Sequence, residues 1–186
     1  GIVMMQASTT SQLEHAIRWL HVPVWMLAVS IVLFVRSGLH AGNPALGWVV
    51  IGARTAALVV NFLHAPNLNY DRVTGVGSIV LWGERISVTE GIRSPWSTLG
   101  ETAAFLLVLF LVGATWEVWR RGDRRGAVVI CGSMLFVATV SWLHTTLVHA
   151  GIFRSPYVIS VVYIVVVVAM YAELTRDVVK GAEFAE

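Results

Sequence analysis

Cysteine is almost missing from this chain: Cys131 stands alone inside an apolar run, so neither a disulfide framework nor a thiolate metal site is available within one copy. Charge is scarce as well. Only 13% of the 186 residues are charged, and 13 basic against 11 acidic side chains leave a net charge of +2. The basic residues are nearly all Arg and scattered apart from one cluster, which argues against nucleic acid as a partner. No G-x-x-x-x-G-K-[ST], H-E-x-x-H or G-x-S-x-G occurs, so the sequence carries no catalytic signature and no catalytic residue is assigned. The paired inverted repeat and broken helices of many transporters are lacking too. Gly1 to Gln6 have no initiator Met, basic n-region or small-residue cleavage site, so they do not read as a signal peptide. They read as the tail of something cut away. The other end stops without a cap or breaker, and the natural chain is expected to continue at both ends.

What is present is apolar: 56% of the residues are hydrophobic and the mean hydropathy is +0.73, outside the range of a soluble domain. Crossing a hydrocarbon core of about 30 Å takes roughly 20 helical residues. Five stretches qualify, from about Ala16 to Val35, Leu46 to Ala65, Ser97 to Trp119, Ala127 to Ala150 and Tyr157 to Leu174. The expected fold is therefore an all-α, polytopic membrane helix bundle. The turn from Arg120 to Arg125 holds four arginines, and the positive-inside rule puts it in the cytoplasm. By alternation the N-terminal segment and the loop 66–96 lie outside, and the C-terminus inside. An odd span count with an outer N-terminus fits a unit that has further helices upstream.

Within the loop, the β-prone runs from Ser78 to Trp82 and from Arg85 to Thr89 flank Gly83-Glu84, which fits a type II′ hairpin turn. An irregular surface loop is the alternative; either would lie over the bundle as a lid. Trp19, Trp48, Trp96, Trp116 and Trp119 fall at helix ends and read as an interfacial aromatic belt.

Polar side chains inside the spans are costly and tend to face the bundle interior. His21, Asn61, His64, Glu101, His144 and His149 all lie toward the outer ends of their helices. His21 and Trp25 share a face of the first span, Arg54, Asn61 and His64 nearly share a stripe of the second, and Ser141, His144 and Thr145 share a face of the fourth. His144 and His149 point about 140° apart and cannot be a same-helix metal pair. Arg54 lies near mid-span, where an unpaired charge costs at least about 2.5–3.5 kcal/mol, and Glu101 is its expected partner. The expected ligand-binding residues are His21, Trp25, Arg54, Asn61, His64, Glu101 and His144, around a pocket open to the outer face. A sharper alternative has His21, His64 and His144 converging on haem, copper or zinc. The plain one gives each histidine a hydrogen bond to a neighbouring helix.

The run from Leu13 to Trp25, the segment from Val60 to Tyr70, Leu81-Trp-Gly-Glu84 with Glu90-Gly-Ile-Arg-Ser-Pro-Trp96, the basic turn from Trp119 to Arg125 and the exit from Tyr171 to Asp177, taken in this order, resemble the N-terminal seven-helix membrane sensor region of bacterial, PAS-containing sensor histidine kinases. The likeness covers nearly the whole chain. It implies a transmembrane sensor domain over residues 1–180, with two helices before Gly1 and the start of a cytoplasmic signalling helix at 181–186. It also implies a multi-pass protein of the bacterial inner membrane whose partners are the lipid bilayer, a small-molecule ligand that is extracytoplasmic or membrane-dissolved, a cytoplasmic kinase module in cis and a second copy in a homodimer. The family's ligands are mostly undefined, so no binding residue carries over by motif. Two other classes stay open: a membrane redox protein with haem between histidines of two helices, and a small transporter or channel subunit built around Arg54 and Glu101.

Overall fold

The computed structural model describes residue 7 and residues 9–81 and 84–152. The fifth span expected from Tyr157 to Leu174, and its continuation toward Glu186, lie outside the described residues. Within them, four helices are long and apolar enough to cross a membrane: α1 (Thr10–Ser37), α2 (Pro44–Leu63), α3 (Ser97–Arg120) and α4 (Arg124–His149).

Each helix starts where the sequence supplies a local signal. The Thr9 hydroxyl accepts the Gln12 amide at 3.3 Å and opens α1 six residues before the apolar stretch begins. Asn43 accepts the Leu46 amide at 3.2 Å, with Pro44 at the first helical position, and starts α2. At the basic turn Gly122 takes φ +92°, which ends α3, and Asp123 accepts the Gly126 amide at 2.8 Å to begin α4. The first full turn of α4, Ala127–Cys131, is π-helical.

α1 packs on α2, α2 on α3 and α3 on α4. Their shared core fills the half of the bundle near the basic turn, around Val32, Val35, Val50, Phe110, Leu111 and Cys131. Gly42 makes the α1–α2 connection pass close to α3: its φ is +81°, and a Cβ there would stand 2.7 Å from the Phe110 ring. Its amide donates to Glu117 Oε2 at 2.7 Å and its carbonyl accepts from Arg36 at 3.1 Å, so the connection is tied to the end of α3. Glu117 in turn pairs with Arg121.

Between α2 and α3 the chain forms an antiparallel hairpin of β1 (Tyr70–Leu81) and β2 (Glu84–Arg93). Leu81 pairs with Glu84, so Glu84, expected from the sequence in the turn, belongs to β2; Gly83, the other residue of the expected turn, lies outside the described residues. The register is set at the other end, where irregularities at Tyr70/Arg72 and Val73/Gly75 adjust the pairing and Tyr70, Val73 and Val88 are buried. A slip of one residue would turn those side chains to the opposite face. Tyr70 and Val73 pack with Ala7, Leu13 and Ile17, so the hairpin leans on the first turns of α1.

Candidate ligand cavity

Above the dense half, toward the hairpin, the four helices separate around a cavity of about 150 Å³. A cavity of that size accepts a benzene-sized molecule. Its walls are apolar residues such as Val24, Ala57, Leu58, Ala104 and Leu107, and its polar groups come from every helix: His21, Arg54, Glu101, Ser141, Thr145 and His149. Leu68 and Asn69, in the link that leads into β1, close the hairpin side.

Glu101 anchors the site. Its Oε1 accepts from Arg93 Nη2 at 2.7 Å and lies 2.7 Å from His149 Nδ1. The His149 side chain is only 2% exposed and that of Glu101 15%, so the junction is buried on its α4 side, while Arg93 reaches it from a side chain that is 38% exposed. Arg93 also donates from Nε to Ser97 Oγ at 2.7 Å, which lays its guanidinium along the first turns of α3. Tyr70 completes the group with its ring edge-on to His149, centroids 6.3 Å apart. One carboxylate thus joins the end of β2, the start of α3 and the last turn of α4.

That junction replaces the Arg54–Glu101 pair expected from the sequence. Both residues line the cavity, but Glu101 is engaged by Arg93 and His149, and Arg54 Nε is buried without a hydrogen-bond partner. Depth along the helices matched the two charges. Rotation about the helix axes and the reach of Arg93 from the hairpin decided the pairing.

Of the seven residues expected to bind ligand, His21, Trp25, Arg54 and Glu101 line the cavity, while Asn61, His64 and His144 do not. His21 Nδ1 sits 3.0 Å from the Ile17 carbonyl, and Trp25 Nε1 donates to Thr55 at 3.0 Å. Asn61 is fully buried and acts as a strap, donating to the Arg18 carbonyl at 2.9 Å and accepting the Leu68 amide at 3.0 Å. It fastens α1 to the link that closes the cavity. His64 meets Asp71 at 3.0 Å, with Ser94 at 3.4 Å, at the base of the hairpin. There the hydrogen bond from His64, and after it one from Ser94, holds the Asp71 carboxyl below its ordinary value of 3.8.

His144 turns away because the cavity face of α4 runs through Ala138, Ser141, Thr145 and His149. His149, five residues from His144, takes the inward position. His21, His64 and His144 therefore do not converge, and among the described residues no group of three or more His, Cys, Asp or Glu could hold a metal ion. A haem macrocycle is also far larger than a cavity that fits a benzene ring. The residues that sequence reasoning missed are His149, Arg93 and Asn69. His149 had been recognised as polar and near the outer end, and Arg93 carried a charge only eight residues before Glu101; that spacing was the available signal.

No protein-family model matches the chain, no curated protein matches it, and no solved structure matches the fold.

Proposed function

We propose that this chain is the membrane-embedded sensor domain of a bacterial two-component signalling protein, set in the inner membrane and taking a small ligand into the cavity between its helices. The observation that carries this reading is the Glu101 junction beside the cavity. A ligand entering there meets a carboxylate that ties the hairpin, α3 and α4 together, so occupancy biases the relative placement of three elements. The resemblance of the chain's motif order to the seven-helix sensor region of histidine kinases supports the same reading. In this arrangement the basic turn is cytoplasmic and the hairpin is the outer lid whose base closes the cavity.

The test uses the intact protein in nanodiscs, with autophosphorylation as the readout and a metabolite extract followed by its fractions as the source of signal. Ala104→Leu places a larger side chain in the cavity wall and leaves Arg93, Glu101 and His149 unsubstituted. The expected result is an output that responds to a fraction in the native protein and has lost that response in Ala104→Leu, at similar thermal stability. A protein that transfers no phosphoryl group, or a variant that responds in full, would overturn the reading.

A further inference from the structure

Among the described residues, Arg54 is an inward-facing charge with no acidic partner. It lies midway along α2 and faces the cavity, and its Nε is buried without a hydrogen-bond partner. The acidic residue in the same lining, Glu101, already has its charge matched by Arg93 and shares the same oxygen with His149. His21, the ionisable neighbour on α1, adds positive charge when protonated and cannot neutralise a guanidinium. The same cavity is lined by the apolar Val24, Ala57, Leu58 and Leu107 and by Ser141 and Thr145.

A guanidinium presents a rigid fork of donors that matches a carboxylate through two parallel hydrogen bonds, and the match gains strength where water is excluded. A surface-exposed arginine would satisfy its Nε donor with water; here that donor is buried in a residue lining a small, mostly apolar chamber. We propose that the cavity binds a small monocarboxylate, its anionic head on Arg54 and its apolar body, up to about the size of a benzene ring, against the aliphatic walls. This deepens the sensor reading and rests on it for the meaning of the ligand, although binding itself can be measured independently of any output.

The probes are benzoate, benzamide and benzamidine, which share one shape and carry negative, zero and positive charge. They are titrated calorimetrically into the full chain in nanodiscs, with empty nanodiscs as the blank. Benzoate is expected to bind roughly tenfold or more tightly than the other two, the usual return on a hydrogen-bonded charge pair. Arg54→Gln should bring benzoate down to the level of benzamide, and Arg54→Lys should keep part of the preference. If Arg54→Gln does not fold, the charge series on the native chain and Arg54→Lys still decide. Dodecanoate distinguishes the source of the carboxylate: tighter binding than benzoate, lost in Arg54→Gln, identifies a membrane fatty acid whose tail leaves the cavity. Equal binding of benzoate and benzamide would overturn the carboxylate assignment and leave the cavity reading standing. Failure of all the probes to bind would overturn both.

Discussion

At the scale of single residues, the bundle separates two kinds of buried polar group. Asn61 uses both ends of its amide on backbone partners, and Glu101 uses one oxygen on two side chains. These are fasteners. Arg54 Nε has no such partner among the described residues and stands as the donor available to a ligand. The distinction is measurable with double-mutant cycles in mixed micelles. Glu101→Gln combined with Arg93→Gln should depart from additivity by about 0.5–3 kcal/mol, because the two residues are in contact. The lower part of that range is expected, since the Arg93 side chain is 38% exposed and solvent screens the pair. Glu101→Gln combined with Arg54→Gln, which line one cavity without pairing, should depart from additivity by less than the contacting pair does. The opposite ranking of the two cycles would restore the Arg54–Glu101 pair and remove the argument for a ligand at Arg54.

At the scale of elements, the sequence made the described helices legible and the site only half so. Length, apolar content and the capping residues Thr9, Asn43 and Asp123 place the four spans, and the helix ends differ from expectation by a few residues because caps lie outside the hydrophobic stretch. A hairpin is recognisable from its β-prone runs, but Glu84, read from the sequence as a turn residue, pairs with Leu81 in the ladder, because burial of Tyr70 and Val73 against α1 fixes the register from the far end. The polar residues were found by depth. Which of them meet depends on the azimuth of each helix, and that is fixed by side-chain packing across elements that a single sequence does not reveal. This is why the sequence points to His144 and Arg54 where the structure brings His149 and Arg93 to Glu101. Among the elements, the hairpin base carries a pH dependence. Asp71 is hydrogen-bonded by His64 and its carboxyl is held below the ordinary 3.8. A folded-state value below the unfolded one means that the contact contributes fully above 3.8 and is lost as pH falls through the lower folded value. Amide exchange in the first residues of β1 should therefore be insensitive to pH-induced opening near neutrality and should accelerate, after correction for intrinsic rates, only in strong acid. Asp71→Asn should remove that acid step; an acid step that persists in the variant would assign it to another group.

At the scale of the whole molecule, the outward surface argues for lipid. Large apolar side chains such as Met26, Leu33, Val49, Leu63, Leu109 and Phe136 point away from the bundle, and the core that the helices share is small by comparison. Contiguous apolar surface of this kind is unfavourable in water and neutral against lipid tails. Tryptophans rim it at both ends: Trp19 and Trp96 are exposed toward the hairpin, and Trp48, Trp116 and Trp119 toward the basic turn. With the helices in a bilayer, the four arginines from Arg120 to Arg125 determine the orientation, because translocating a short basic loop is disfavoured. Cysteine accessibility tests this directly. The single native cysteine, Cys131, is buried in the core and is replaced by Ser to give a silent background. Single cysteines are then placed at the exposed positions Ser78, on the hairpin, and Arg120, at the basic turn, where three arginines remain. In intact cells a membrane-impermeant maleimide should label Ser78→Cys and spare Arg120→Cys, and lysis should make both reactive. Labelling of Arg120→Cys alone before lysis would invert the molecule, put the cavity on the cytoplasmic side and end its reading as a receptor for an outside signal.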